Sequence, residues 1–201
     1  MESQNSSSIH REFLETKFVY YEVNDKTNQR HDDSPIQTLG EAIDAYKPDA
    51  DLFLVIGTLI VQMDVGRDMY GFHRDLLKLS EQLAFNEPSS NAYIREAGIT
   101  HDRDDIYTVV LTDFYHPLII YFILEGEYIM VQTRTLQGEE VIMTEEDITT
   151  SVQFKREDLI NNICEFLHCY LENLLEVNPI VSSFTDYQEY IERLTAVEVR
   201  H

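Results

Sequence analysis

The clearest pattern along the chain is a strict alternation of apolar and polar residues from Ile148 to Phe154. This two-residue period predicts a β-strand with one buried face, because successive side chains of a strand point to opposite faces. Three further strands separated by turn residues are predicted upstream, over 106–112, 118–124 and 128–136. The middle segment is apolar on both faces and is therefore expected to be the most buried strand of the sheet.

Helical periodicity appears on both sides of this β-rich region. Phe72, Leu76, Leu79 and Leu83 recur at offsets of four, three and four, which places them on one face of a helix that begins near 68–70. A wider apolar stripe predicts a long helix over 157–175 that packs heavily against the sheet. Two shorter helices are predicted, one after a capping box formed by Thr38 and Glu41 and one over about 185–194.

The N-terminal half adds a predicted strand over 17–23, a polar loop over 24–35 and a long strand over 52–65 that bends at Gly57. Residues 1–10 are polar and are expected to form a disordered tail. Together these elements predict a single α+β domain over residues 11–197. We expect an antiparallel sheet of about five to six strands, with helices packed mainly on one face, in the order βαβα-ββββ-αα.

The ends and the cysteines suggest a cytoplasmic protein. The first ten residues carry an acid and no apolar stretch, unlike a secretory signal. The longest apolar run, over 52–61, falls short of the roughly 20 residues that a membrane helix needs, so no membrane partner is expected. Cys164 and Cys169 are five residues apart on a predicted helix, about 140° around its axis, so they cannot form a disulfide with each other.

Charge narrows the range of partners more than any motif does. The chain has 37 acidic and 15 basic residues, a formal net charge of −22, which argues against direct binding to nucleic acid. Acids are densest in residues 101–150, where there are 11 acids and 2 bases. The tightest cluster of acids lies over 139–147, and the candidate partner-binding patch is this cluster extended by three acids near 101. Its residues are Asp102, Asp104, Asp105, Glu139, Glu140, Glu145, Glu146 and Asp147.

Such a patch is typical of proteins that bind a basic partner, because a focused negative field steers a cationic protein toward it. The leading hypothesis is a non-enzymatic, immunity-like or inhibitor-like protein that binds and neutralises a basic protein such as a nuclease or toxin. An alternative is an acidic domain of halophilic or viral type, whose charge serves solvation in high salt.

Catalytic and cofactor motifs are missing from the sequence. No phosphate-binding loop, nucleophile elbow, dinucleotide fingerprint or zinc-protease helix occurs, so no cofactor and no tightly bound metal are expected. A third hypothesis is a metal-dependent hydrolase with a site near Asp64, Asp68, His73 and His101, although Asp68 is also well placed to cap a helix. Cys164 and His168 share a helix face, where a core thiol beside a hydrogen-bonded histidine is expected.

Overall fold

The computed structural model of the chain describes residues 17–31, 35–63, 65, 69–86, 106–111, 118–135 and 148–200. This part of the chain is α+β, with four α-helices, one 3₁₀ helix and two antiparallel sheets. The elements in chain order are β1 (Val19–His31), α1 (Leu39–Ala45), β2 (Tyr46–Ile56), β3 (Leu59–Gln62), α2 (Met69–Phe85), β4 (Ile106–Leu111), β5 (Leu118–Glu125), β6 (Tyr128–Thr135), β7 (Ile148–Lys155), α3 (Arg156–Val177), a 3₁₀ helix (Pro179–Ser183) and α4 (Thr185–Arg200).

The prediction of one sheet with five to six strands is wrong. The strands form a three-stranded sheet in the order β1-β2-β3 and a four-stranded sheet in the order β4-β5-β6-β7. Strand β2 pairs with β1 on one side and with β3 on the other, so both of its edges are occupied before the chain enters α2. The later strands then pair only among themselves, each with its neighbour in sequence.

The turn at Gly57 explains why the predicted element order fails. The segment 52–65 is not one bent strand but a hairpin, in which Ile56 pairs with Leu59 across a two-residue turn. Gly57 has a φ of 62°, a conformation that costs glycine little and other residues more. Glycine at the first turn position is typical of type II′ hairpins, so this glycine reverses the chain where the sequence pattern indicated continuation.

The predicted polar loop over 24–35 is wrong in its first part, because β1 continues to His31. Its extension pairs with the beginning of β2, which starts at Tyr46 directly after α1 ends. The register shifts on both sides of Asp25, and Pro48 lies opposite this irregular stretch. Proline has no backbone N–H to donate to a neighbouring strand, which is why it is tolerated at a bulge.

Other predicted elements are confirmed. Helix α1 begins with the capping box, in which the Thr38 hydroxyl accepts from the Glu41 N–H and the Glu41 carboxylate accepts from the Thr38 N–H. Helix α2 buries the predicted apolar face. Strand β5 lies between β4 and β6, and all four of its residues from Ile120 to Ile123 are buried.

The two sheets and the helices share one core. Phe18, just before β1, contacts Phe122 of β5 and Phe154 of β7 edge to face, with ring centroids 5.4 and 6.2 Å apart. Helix α3 packs on β1, β6 and β7, and α2 packs on both α3 and α4. No helix within the described ranges is long and apolar enough to cross a membrane. The predicted tail over 1–10 lies outside the described residues.

Candidate functional site

The eight acids predicted to bind a partner lie outside the described residues. The strands that flank these acids in the sequence show where the acidic segments join the four-stranded sheet. Residues 101–105 lead into Ile106, the first residue of edge strand β4. The segment 136–147 connects β6 to β7, the strand at the other edge of the same sheet. Both acidic segments are therefore joined to the four-stranded sheet, at opposite edges.

Of the four residues proposed for a metal site, the structure describes His73 alone. Its side chain is fully buried, and its ring centroid lies 4.4 Å from that of Tyr170 and 5.1 Å from that of Phe166. Burial lowers the pKa of His73 from 6.5 to about 3, so the imidazole is neutral at physiological pH. The Tyr190 hydroxyl lies 3.5 Å from Nδ1.

His73 is therefore a core residue at the junction of three helices. Its Nε2 atom is buried and makes no hydrogen bond in the part of the chain that the structure describes. The rings around it are not metal ligands of the kind that a hydrolase uses. Asp64, Asp68 and His101 lie outside the described residues, although α2 begins at Met69, directly after Asp68. The packing of His73 gives the hydrolase hypothesis no support.

The cysteines occupy different surroundings, as predicted from their spacing. Cys164 is buried, and burial raises the pKa of its thiol to about 12, which keeps it protonated and unreactive. His168, one turn further along α3, places Nε2 2.9 Å from Oε1 of Glu198 on α4. Cys169 is half-buried and lies beside β1. Within the described ranges, no group of three or more His, Cys, Asp or Glu side chains is arranged to hold a metal ion.

A groove of about 200 Å³ lies between the beginning of β1 and helix α3. Its charged lining residues are Lys17, Glu22 and Glu165, and its apolar lining includes Phe166. The Lys17 ammonium lies 2.8 Å from the Glu165 carboxylate and forms an ion pair across the groove. The groove therefore combines apolar and charged lining residues, a mixture that is also found in protein–protein interfaces.

Asn162 determines how β1 meets α3 at one end of this groove. Its Oδ1 atom accepts from the N–H groups of Phe18 and Val19 at 2.9 and 2.7 Å, and its Nδ2 atom donates to the Val19 carbonyl at 3.1 Å. The side-chain amide thus satisfies backbone groups of β1 much as a neighbouring strand would. Because Asn162 is itself buried and has little access to water, these bonds satisfy the hydrogen-bonding capacity of its side-chain amide.

The exposed side of α3 carries a stripe of carboxylates, formed by Asp158, Glu165, Glu172 and Glu176. At about 100° per residue, their offsets of seven, seven and four place them within about 40° of one another around the helix. This α3 stripe borders the groove through Glu165. The sequence pattern could have revealed it, since the heptad spacing is visible without a structure.

Other parts of the site could not be found from the sequence. Asn162 reads as an ordinary polar residue within a helix, and its backbone partners lie 143 and 144 positions away. No spacing rule connects residues so distant. No known protein family, characterised protein or solved structure matches this chain, so its function has to be argued from its own residues.

Proposed function

We propose that this chain is a non-enzymatic acidic protein that binds a basic protein and neutralises it in the manner of an immunity protein or nuclease inhibitor. The observation that carries the proposal is the charge, 37 acids against 15 bases. The described surface supports it, because four carboxylates of α3 share one exposed face beside an open groove.

The physical basis is long-range attraction. Proteins that bind phosphate backbones present Lys and Arg to them, so a nuclease or nucleic-acid-binding toxin has a cationic surface. An acidic protein is drawn to that surface, and the rate of association rises as the salt concentration falls. Once bound, it occupies the place that nucleic acid would take.

The acids proposed to contact the partner first are those on the segment that joins β6 to β7, including Glu140, Glu145 and Glu146. Asp102, Asp104 and Asp105 are also assigned to partner contact in the proposal, on a segment joined to the opposite edge of the same sheet. Like charges this close together repel each other, and a cationic partner would relieve that repulsion. Under the alternative hypothesis of a halophilic or viral acidic domain, dissolved salt would instead screen this repulsion.

The test compares two variants with equal charge. In the first, Glu140, Glu145 and Glu146 are replaced by Gln; in the control, Glu189 and Glu192 of α4 are replaced by Gln and Asp49 of β2 by Asn, all three being exposed and outside the four-stranded sheet. Proteins captured from a lysate by the wild type are identified, purified and bound again while association rates are measured over a salt series. We expect a basic protein whose association slows in the first variant, with a loss that shrinks at high salt.

Two results would contradict the proposal. One is capture of no basic protein under low-salt conditions. The other is a combination of two observations. Both variants associate with the partner at the same rate, and the melting temperature of the wild type falls steeply at low salt while that of the first variant falls less. That second pattern would indicate that the charge serves solvation alone.

A further inference from the structure

The outer edge of β1 lies beside the groove that β1 forms with helix α3. In the described part of the chain, β1 is one of the two edge strands of its sheet, and β2 lies on one side of it only. An edge strand presents N–H and C=O groups that another strand can pair with. Helix α3 runs beside this edge and forms the second wall of the groove.

The pairing register shows which backbone groups point outward. The Val55 N–H donates to the Phe18 carbonyl, and Val19 pairs with Leu54, so Val19 and Leu54 form a non-hydrogen-bonded pair. Tyr20 and Glu22 therefore direct their backbone groups toward β2. Val19, Tyr21 and Val23 direct theirs away from it. The Asn162 amide confirms this geometry, because it bonds both the N–H and the C=O of Val19.

Asn162 covers the first of the three outward positions, and the next two, Tyr21 and Val23, precede the register shift at Asp25. An added strand could therefore pair over a segment of about five residues. Its alternate side chains would face the α3 wall of the groove, where Glu165 lies and from which the other carboxylates of the α3 stripe continue along the same helix face. Glu165 already pairs with Lys17, so a basic side chain of the added strand would share that carboxylate. Lysine or arginine at those positions would complement these carboxylates.

We propose that the outer edge of β1 accepts an extended basic segment of the partner protein as an added strand, with the basic side chains directed toward the α3 stripe. The inference rests on the proposed function, and it names the part of the partner that is recognised. Main-chain hydrogen bonds would supply the pairing, and the carboxylates would select for positive charge, as in other cases of strand addition.

The test uses two peptides and the full chain. The probe is a capped peptide of about nine residues in which lysine and valine alternate. The control peptide has the same sequence but carries N-methyl groups at alternate backbone amides, so that it cannot pair with an edge. We expect the probe to slow hydrogen exchange at the Tyr21 and Val23 amides, while the Tyr20 and Glu22 amides, already bonded to β2, remain unchanged.

Charge selection is tested with matched double variants. Replacing Glu165 and Glu172 by Gln should weaken probe binding by about tenfold at low salt. Replacing Glu189 and Glu192 by Gln removes the same charge from exposed positions of α4 and should leave the affinity unchanged. Thermal melts of both variants check that neither change disturbs the fold.

The two proposals can fail separately. Equal binding of the two peptides, or absence of probe binding at low salt, would overturn strand addition without touching capture of a basic protein through Glu140, Glu145 and Glu146. Slow exchange at Tyr21 and Val23 in the chain alone would also overturn it. If that protection does not depend on protein concentration, the edge of β1 is covered by another segment of the same molecule. If the protection grows with protein concentration, the edge is covered by a second molecule of this protein.

Discussion

Replacing His73 by phenylalanine should make the stability of this protein less sensitive to acid. In the folded chain His73 is fully buried, and burial lowers its pKa from 6.5 to about 3. In the unfolded chain the same imidazole is exposed to water and titrates near 6.5. Between these two values the unfolded chain binds a proton that the folded chain does not, so acid favours unfolding.

The sign and size of the effect follow from these two pKa values. The stability that depends on neutral His73 is fully present above pH 6.5 and is lost as the pH falls toward 3. A pH of 5 lies about 1.5 units below the pKa of the imidazole in the unfolded chain, and each unit corresponds to about 1.4 kcal/mol of unfolding free energy. The wild type should therefore lose about 2 kcal/mol of unfolding free energy between pH 7 and pH 5 from this residue alone.

Urea denaturation at pH 7 and pH 5 measures this loss. The wild type is compared with His73→Phe, which keeps a ring in the contacts with Phe166 and Tyr170 and cannot bind a proton. His73→Leu serves as a second variant if phenylalanine overfills the site. The many carboxylates titrate equally in all three proteins, so subtracting the pH dependence of the variant from that of the wild type isolates His73.

Parallel behaviour would refute the reasoning. If the wild type and both variants lost the same free energy between pH 7 and pH 5, His73 would have to carry its proton in the folded state as readily as in the unfolded state. That outcome would contradict the enclosed position of the imidazole between the helices. A smaller absolute stability of the variants at pH 7 would leave the reasoning intact, because the prediction concerns the difference between the two pH values.

Three further changes should affect the free energy of unfolding, each measured by urea denaturation at pH 7. Asn162→Ala removes the side chain that bonds the start of β1 and should cost about 2–4 kcal/mol, whereas Thr195→Ala on an exposed position of α4 should stay within about 0.5 kcal/mol. Gly57→Ala should cost more than Gly126→Ala: both glycines have positive φ, but an added Cβ at Gly57 meets a hydroxyl at 3.3 Å and one at Gly126 meets nothing within 4 Å. Equal costs would show that backbone conformation alone matters there. Thr38→Ala should cost about 1 kcal/mol by removing the N-cap of α1, and Thr38→Ser should restore most of it.

Local sequence patterns determined the elements whose cause is local. The capping box at Thr38 involves neighbours along the chain, and the apolar stripes of α2 and α3 repeat with the helical period, so these features could be predicted without a partner. The same holds for the alternation in β7 and for the apolar character of β5. Charge is also a property of composition, and the expectation of a basic partner rests on it.

Tertiary structure decided which strands pair, because pairing depends on backbone partners that are remote in sequence. The residue pattern of 52–65 is compatible with one strand, and it took the pairing of Ile56 with Leu59 to show a hairpin at Gly57. The division into two sheets depends on β4 pairing with β5 and not with the outer edge of β1 or β3, which no local period encodes.

The site shows the same division. The α3 stripe follows from heptad spacing on a predicted helix. The groove beside it lies between elements far apart in the chain, and Asn162 in its lining bonds the start of β1, more than 140 positions earlier. The sequence grouped His73 with Asp64, Asp68 and His101 as one hypothetical metal site, and the packing among three helices showed that His73 is enclosed. Burial of a polar side chain is decided by what surrounds it in space, and the sequence around it does not contain that information.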